Sequence, residues 1–269
     1  MTGDSIHMNR RGGSHVTLLV KESVTEIVWK SPGLNLFTNE VADQFEECLG
    51  GIPPGTRALL LRAEGKVFCG GVDVHEFESM VVTGGRTFSN RLLDLIHRLE
   101  ELEFPTLAVV HGLNLTIGME LVLACDFIFA SSDASMGLVE AKVGLTPAAG
   151  GVQRLVSRVG LTCATRMVMT GDVYSASTLK DWGLIDTVVD PVDLADSAGE
   201  FVSLLSKGPT KALAAAKVLL RSARDNGPTG TDWITPRAAG PIMNSKDARR
   251  GVRALLDQGP GTAIEFHGE

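Results

Sequence analysis

The chain of 269 residues is long enough for one large hydrophobic core with a small appendage. Its 44% hydrophobic and 21% charged residues are ordinary for a globular protein, and a net charge of -7 excludes a generally basic surface for nucleic acid. The sequence has no apolar run long enough to cross a membrane, and its scattered cysteines favour reduced thiols in a cytoplasm over a metal site or a disulfide framework.

The N-terminal half is predicted to alternate strands and helices. Residues 1–14 are polar and glycine-rich and are expected to form a disordered leader. The strings VTLLV and TEIVW suit two strands, and Thr38 is expected to cap a helix. RALLLRA and TLAVV predict buried strands on either side of a helix over 88–102.

The C-terminal half begins with mixed elements and ends with helices alone. Its predicted elements are a helix over 117–124, strands over 127–130 and near 135–138, and helices over 152–157, 161–170 and 175–181. GLIDTVVD closes this part as a strand, and every later element is predicted to be a helix. The pattern indicates an α/β fold with its core in residues 15–200 and a C-terminal helical region in residues 201–269.

Several enzyme signatures are missing from the sequence. There is no G-x-S-x-G of an α/β-hydrolase, no G-x-x-x-x-G-K-[ST] and no G-x-G-x-x-G after a strand. His75-Glu76 lacks a second histidine at the spacing of zinc proteases. These absences argue against the corresponding enzyme classes, and no metal site is predicted.

Two glycine-containing turns are candidate sources of free backbone donors. F-C-G-G-V-D, residues 68–73, lets the backbone approach a ligand closely, and Asp73 is expected to cap a helix over 74–80. H-G-L-N-L-T-I-G-M-E, residues 111–120, runs from a buried strand into an apolar helix whose first N–H groups favour negative charge. For the first turn, a purely structural role is the alternative.

Two glutamates accompany these turns. Glu120 lies between Met119 and Leu121, where a carboxyl should have a raised pKa unless it is paired. Glu140 precedes a loop rich in small residues, and such loops often carry function. A solvated helix-start glutamate and a surface glutamate are the respective alternatives. Together, two donor turns and two carboxyls suit proton transfer on a carbonyl compound, with its oxyanion held by backbone N–H groups.

At four places in the same order, the sequence resembles the enoyl-CoA hydratase/isomerase (crotonase) superfamily. F-C-G-G-V-D-V is similar to F-x-x-G-[AS]-D-[IL], and H-G-L-N-L-T-I-G-M-E-L to N-G-x-A-x-G-G-G-x-E-L. A-C-D-F-I-F-A resembles C-D-x-x-x-A, and G-L-V-E-A-K-V-G-L-T-P-A-A-G-G-V-Q-R-L resembles G-x-P-E-x-x-x-G-x-x-P-x-x-G-G-x-x-R-L. The match spans residues 16–191 and continues more weakly to the end.

The resemblance implies a crotonase-like spiral core of ββα turns and a C-terminal helical trimerisation region. It implies a homotrimer or a dimer of trimers, and the cysteine pattern predicts a cytoplasmic location. The implied activity is that of a lyase of fatty acid metabolism, which adds water reversibly to a 2-enoyl-CoA to give a 3-hydroxyacyl-CoA. Coenzyme A is then part of the substrate, and neither a separate cofactor nor a nucleic-acid or membrane partner is expected.

The resemblance also implies the roles of individual residues. The backbone N–H groups of Val72 and Ile117 would form the oxyanion hole. Glu120 would hold and activate water, and Glu140 would exchange a proton with it and the substrate α-carbon. Coenzyme A would lie along the residues Leu34, Asn35, Gly70, Val72 and Asp73.

The two acids together favour hydration, since isomerases of the family usually keep only one, often at the position of Glu140. The alternatives are an isomerase, another acyl-CoA reaction that uses the same oxyanion hole, and a catalytically weak acyl-CoA-binding protein.

The sequence departs from the family pattern near the implied oxyanion hole. Thr116, Ile117 and Gly118 stand where the family has three glycines, and a β-branched residue in this turn is expected to keep a negative φ. Val72 replaces a small residue, and Ala148 replaces a glycine that is thought to support the water. We expect these changes to influence the choice of substrate more than the fold.

Overall fold

The computed structural model describes residues 6–8, 13–76 and 85–269. Within these ranges, the main sheet contains, in spatial order, β1 Ile6–Met8, β2 Val16–Lys21, β3 Val24–Trp29, β4 Ala58–Ala63, β5 Thr106–Val110, β7 Phe127–Ser131 and β10 Thr187–Val189. The pairs from β1 to β3 are antiparallel, and the pairs from β3 to β10 are parallel. A smaller sheet is formed by β6 Leu113–Leu115, β8 Ser135–Gly137 and β9 Tyr174–Ser175.

Helices follow most of these strands and cover both faces of the main sheet. They are α1 Pro32–Asn35, α2 Asn39–Gly50, α3 Gly85–Glu100, α4 Ile117–Leu123, α5 Gly151–Thr170, α6 Ala176–Asp181, α7 Leu194–Ser206, α8 Thr210–Thr231, α9 Thr235–Ala239 and α10 Lys246–Gln258. Short 3-10 turns occupy Glu140–Val143 and Pro241–Asn244. Gly160 and Gly227 have φ of 74° and 71° and interrupt α5 and α8, respectively.

The parallel strands are buried on both faces, which explains their nearly continuous apolar sequences. Successive side chains of a strand point to opposite faces of the sheet. Leu59 and Leu61 of β4 accordingly belong to the main core, together with residues of α2 and α3. Leu60 belongs to a second cluster, together with Ala198 and Val202 of α7. The two layers hold the ends of β4 and β5 in place, and the loops of the candidate site follow those ends.

Most expected elements are present with bounds shifted by a few residues. The predicted cap is confirmed, because Thr38 Oγ1 accepts a hydrogen bond from the backbone N–H of Val41 over 3.2 Å. The two helices expected over 152–157 and 161–170 form the single element α5, broken at Gly160. Of the helix expected over 74–80, residues 74–76 are helical, and the remainder lies outside the described residues.

The expected disordered leader at 1–14 is wrong for Ile6–Met8. This segment pairs antiparallel with β2, whose outer edge offers backbone groups that β3 does not use. Residues 1–5 and 9–12 lie outside the described residues. The boundary expected near residue 200 falls inside α7, which packs on the main sheet through Ala198 and Val202.

Helices α8 to α10 form the C-terminal helical region. The buried carboxylate of Asp247 accepts hydrogen bonds from the backbone N–H groups of His267, Gly268 and Glu269, which ties the last residues to α10. None of the helices in the described ranges is long and apolar enough to cross a membrane.

Candidate active site

Among the residues that the structure describes, the backbone N–H of Val72 in the first turn has no backbone acceptor. The N–H of Phe37 donates to the carbonyl oxygen of Gly71 over 2.9 Å, and the N–H of Asp73 donates to the carbonyl oxygen of Phe37 over 2.9 Å. Backbone groups alternate in direction along an extended segment, so the N–H of Val72 points away from this ladder. Gly71 has a φ of +113°, a backbone conformation that would be energetically unfavourable for any residue with a side chain.

The second candidate donor is the backbone N–H of Ile117, the first residue of α4. The first N–H groups of a helix have no acceptor within the helix, and in the described ranges no other backbone carbonyl accepts from the N–H of Ile117. The turn is anchored because Thr116 donates its N–H to the carbonyl oxygen of Gly137 and accepts at its own carbonyl from the N–H of Glu120, both over 3.0 Å.

The expectation of a negative φ in this turn is wrong at Thr116. This residue has φ 51° and ψ -123°, a conformation that favours glycine. A non-glycine residue in a sparsely populated region costs on the order of 1–3 kcal/mol and persists only where its surroundings determine it. The two backbone hydrogen bonds of Thr116 provide that constraint, and the strain lies directly beside the candidate oxyanion donor.

Cys69 connects the two turns. The N–H of Gly71 donates to Cys69 Sγ over 3.3 Å, and the N–H of Leu115 donates to the carbonyl oxygen of Cys69 over 2.9 Å. A Cβ on Gly118 would lie 2.3 Å from that of Cys69, so only glycine fits there. Burial raises the pKa of the Cys69 thiol to about 12, which keeps it neutral. The sequence reasoning missed this residue, although it lies within the first glycine turn.

Glu120 is only 2% exposed and is held by backbone donors. Its Oε1 accepts from the N–H of Ala149 over 2.9 Å and from that of Gly151 over 2.8 Å. Burial raises the pKa of Glu120, as expected from its apolar neighbours, while the two N–H groups and the charge of Arg154 act in the opposite direction. A Cβ on Gly151 would lie 2.8 Å from Oε1, which explains the glycine at this position.

Glu140 begins the 3-10 turn and is 9% exposed. Its Oε2 is buried and has no hydrogen-bond partner in the part of the chain that the structure describes. Burial raises the pKa of Glu140 to about 7, its own backbone N–H lowers it, and the negative charge of Glu120 raises it further. The tertiary structure thus brings the two carboxyls within electrostatic reach of each other, and Glu140 can both give and take a proton near neutral pH.

The positions expected to contact coenzyme A are also brought together. The N–H of Gly70 donates to the carbonyl oxygen of Leu34 over 2.8 Å. The Asn35 side chain is used within the protein: its Nδ2 donates to the carbonyl oxygens of Glu64 and Val67, and its Oδ1 accepts from a backbone N–H. Any contact of Asn35 with a ligand would therefore involve its backbone, and coenzyme A binding here stays a prediction.

Asp73 acts as the expected cap. Its Oδ1 accepts a hydrogen bond from the N–H of His75 over 3.0 Å. This contact fixes the start of the following helix next to the Val72 donor.

Two further polar side chains near the turns were missed by the sequence reasoning. Both amide atoms of Asn114, which is fully buried, and Thr116 Oγ1 have no hydrogen-bond partner among the described residues. Asn114 stands where the family pattern has alanine, and Thr116 stands where it has glycine. These departures from the pattern could have identified both residues from the sequence. Within the same ranges, no three His, Cys, Asp or Glu side chains are grouped in a way that would hold a metal ion.

The comparison with known proteins agrees with this geometry. A family model described as Enoyl-CoA hydratase/isomerase matches residues 20–260. The chain belongs to the enoyl-CoA hydratase/isomerase family. The resemblance drawn from four sequence segments is thereby confirmed over nearly the whole chain.

Several members of the enoyl-CoA hydratase/isomerase family illustrate the likeness. An enoyl-CoA isomerase/hydratase of Mycosarcoma maydis is 34% identical over 75% of this chain and 74% of its own length. A short-chain-enoyl-CoA hydratase of Clostridium acetobutylicum is 28% identical over 90% of this chain and 94% of its own. The crystal structure of an enoyl-CoA hydratase from Bacillus anthracis superimposes with a TM-score of 0.88 at 26% identity, covering 95% of this chain and 100% of that one. The expected crotonase fold is confirmed.

Proposed function

We propose that the protein catalyses the reversible addition of water to a 2-enoyl-CoA thioester, giving a 3-hydroxyacyl-CoA. The observation that carries this proposal is the buried pair of Glu120 and Glu140. Each carboxyl has a raised pKa, and the charge of Glu120 contributes to that of Glu140. Such a pair suits a reaction that activates water and also delivers a proton to carbon.

The donor turns would stabilise the charge that develops during the reaction. The N–H groups of Val72 and Ile117 would bind the thioester oxygen, which becomes negative when water adds to C3. Each such donor is worth roughly 3 kcal/mol in the transition state. Because both donors belong to the backbone, the side chains at these two positions remain free to differ from the family pattern.

The two carboxyls would divide the proton transfers. Glu120 would take a proton from the water that attacks C3, since the N–H groups of Ala149 and Gly151 stabilise its carboxylate. Glu140, whose pKa is about 7, would deliver a proton to C2 from its unpartnered Oε2. Elimination of water from a 3-hydroxyacyl-CoA would use the same groups in reverse.

Crotonyl-CoA provides a direct test. Loss of the conjugated enoyl absorbance, with 3-hydroxybutyryl-CoA as the product, is the expected result for the wild-type protein. Glu140→Gln should lower the rate by about 10²- to 10⁴-fold, because one general acid contributes about that much. Equal rates for the two proteins would rule out the mechanism, and acyl-CoA binding without turnover over a range of chain lengths would favour a binding protein.

Double-bond isomerisation is the second candidate, because Glu140 alone could move a proton between C2 and C4. Its pKa of about 7 and its unpartnered oxygen suit such a shuttle. Incubation with a 3-enoyl-CoA separates the candidates, since an isomerase forms the 2-enoyl product at a rate that survives Glu120→Gln. Failure of the wild type to form the 2-enoyl product would count against isomerisation.

The remaining expectations concern assembly and setting. We propose a homotrimer or a dimer of trimers, which would cover the large apolar side chains that the C-terminal helical region exposes, such as Leu220, Trp233 and Met243. Light scattering gives the mass that tests this. We also propose a cytoplasmic role in fatty acid metabolism, with coenzyme A as part of the substrate and no separate cofactor.

A further inference from the structure

A chain of polar contacts runs from the C-terminal helical region to the loop that holds Glu120. The loop contributes the N–H groups of Ala149 and Gly151, both bound to Glu120 Oε1. Arg154 lies one turn further along α5, and its Nη1 donates to the carbonyl oxygen of Gly150 over 3.2 Å. The guanidinium therefore contacts the turn that carries both donors.

Gly150 shows that the turn is shaped around this guanidinium. Its φ of +81° favours glycine, and a Cβ at this position would lie 2.4 Å from Arg154 Nη1. A larger residue would displace either the arginine or the turn. The close approach therefore makes the position of the turn depend on Arg154.

Glu100, the last residue of α3, holds Arg154 in place. Glu100 Oε2 accepts from Arg154 Nη2 over 2.5 Å, and Glu100 Oε1 accepts from Arg224 Nη1 of α8 over 2.6 Å. Arg221, also on α8, donates to the carbonyl oxygen of Glu100. Burial acts to raise the pKa of Glu100, but the hydrogen bonds from Arg224 and Arg154 outweigh it and lower that pKa, so the carboxylate remains charged.

Burial and charge distinguish these contacts from an ordinary surface ion pair. Arg154 and Glu100 are each 8% exposed. Removal of Glu100 would therefore leave the buried charge of Arg154 without its carboxylate partner, whereas removal of Arg154 would leave Glu100 paired with Arg224. The positive charge of Arg154 also reaches the site, where it acts to lower the pKa of Glu120. The contact chain can therefore influence both the position and the charge of the candidate base.

We propose that Arg154 is a positioning residue for Glu120, held by Glu100 and through it by Arg224 of α8. Arg154 keeps the Ala149–Gly151 turn directed at Oε1, which leaves Oε2 of Glu120 to meet water. The catalytic meaning of this link rests on the proposed hydration, whereas the link itself can be tested without turnover. The structure thereby couples α8, in the C-terminal helical region, to the part of the site that carries Glu120.

Kinetic variants test the proposal. Arg154→Gln should lower kcat about tenfold to hundredfold through misplacement of Glu120, with little change in KM. Because the positive charge is lost, the acidic limb of the pH–rate profile should move to higher pH, and Arg154→Lys should restore that limb in part. Arg224→Gln removes the outer contact with Glu100, together with an exposed pair with Asp225, and should give a smaller change in the same direction.

Arg158 is the matched control. It lies four residues further along the same helix, and its Nη2 donates to the carbonyl oxygens of Leu123 and Cys125. Arg158→Gln should lower the melting temperature while the pH–rate profile stays in place. The proposal is overturned if Arg154→Gln also lowers only the melting temperature, or if both variants move the pH profile equally.

A titration without turnover separates this proposal from the proposed function. Carbon-13 NMR of labelled glutamate carboxyls follows the signal that disappears in Glu120→Gln. The pKa of Glu120 should be higher in Arg154→Gln than in wild type and unchanged in Arg158→Gln. Absence of hydration by the wild type would reject the proposed function alone, whereas an unchanged Glu120 titration in Arg154→Gln would reject the link.

Discussion

The donor half of the candidate site, the turns around Val72 and Ile117, works through backbone N–H groups, whereas the acid half works through the side chains of Glu120 and Glu140. The donor half accepts substitutions that the family pattern does not contain, including Thr116 at φ 51°. The acid half retains both expected carboxyls, and its supporting loop has no room for a Cβ at Gly151. In this chain, side chains therefore differ from the family pattern at the turns whose backbone N–H groups are the candidate donors, whereas both candidate carboxyls are retained.

The largest effect is expected in the acid half. Glu120→Gln and Glu140→Gln should each lower kcat by about 10²- to 10⁴-fold, because glutamine preserves the shape but transfers no proton. The kcat of the double variant should be only slightly below that of the less active single variant, since the effects of residues that act as a unit are not additive. Strictly multiplicative losses in crotonyl-CoA hydration would show that the two acids act independently.

Gly71→Ala tests whether the donor half depends on backbone geometry. Alanine must adopt the φ of +113°, and its Cβ would lie 3.3 Å from Thr116 Oγ1, so the Val72 N–H should shift. Loss of one oxyanion donor should lower kcat/KM about a hundredfold. Gly65→Ala is the control, because Gly65 has a similar φ of +106° with no atom within 4 Å of its Cβ position. Equal kcat/KM for both variants would contradict the role of the first turn.

The pH dependence of stability tests the raised pKa of Glu140 in the acid half. The pKa of Glu140 rises from 4.5 to about 7 on folding, so between these values the folded protein binds more protons than the unfolded chain. The free energy of unfolding should therefore fall as pH rises through this window, by up to about 3 kcal/mol. Denaturant titrations of wild type and Glu140→Gln should diverge between pH 4.5 and about 7, with the variant relatively more stable at the higher pH. Parallel curves would contradict the raised pKa.

The smallest effect is expected from Thr116→Gly in the donor half. Glycine relieves the strained φ, which stabilises the folded state, but it also increases the entropy of the unfolded chain. Because the relief of strain is expected to be the larger effect, the free energy of unfolding should rise by about 1 kcal/mol. We expect kcat to stay within a few-fold of wild type, because the Ile117 N–H is retained. Glu22→Gly, at an unbranched residue with a φ of 54°, provides the comparison and should gain less. A clear loss of stability in Thr116→Gly would show that its side chain contributes more than its backbone costs.

Local patterns were sufficient for much of the fold. The Thr38 cap, the two N-terminal strands and the buried strands β4 and β5 follow from side-chain chemistry and periodicity within a few residues. Ile6–Met8 could not be predicted in this way, because a short strand depends on the partner edge that β2 offers. The φ of Thr116 was missed for a similar reason, since its conformation is imposed by contacts with Gly137 and Glu120.

By itself, the sequence determined the family, the class of fold and the pair of candidate carboxyls, because these depend on residue types in a fixed order. Only the tertiary structure decided how the parts act on one another. It places Cys69 between the donor turns, fixes Glu120 through Ala149 and Gly151, and connects Arg154 to α8 through Glu100. Hydrogen bonds and electrostatic interactions depend on distances in space, and residues far apart in the sequence reach those distances only when the chain folds.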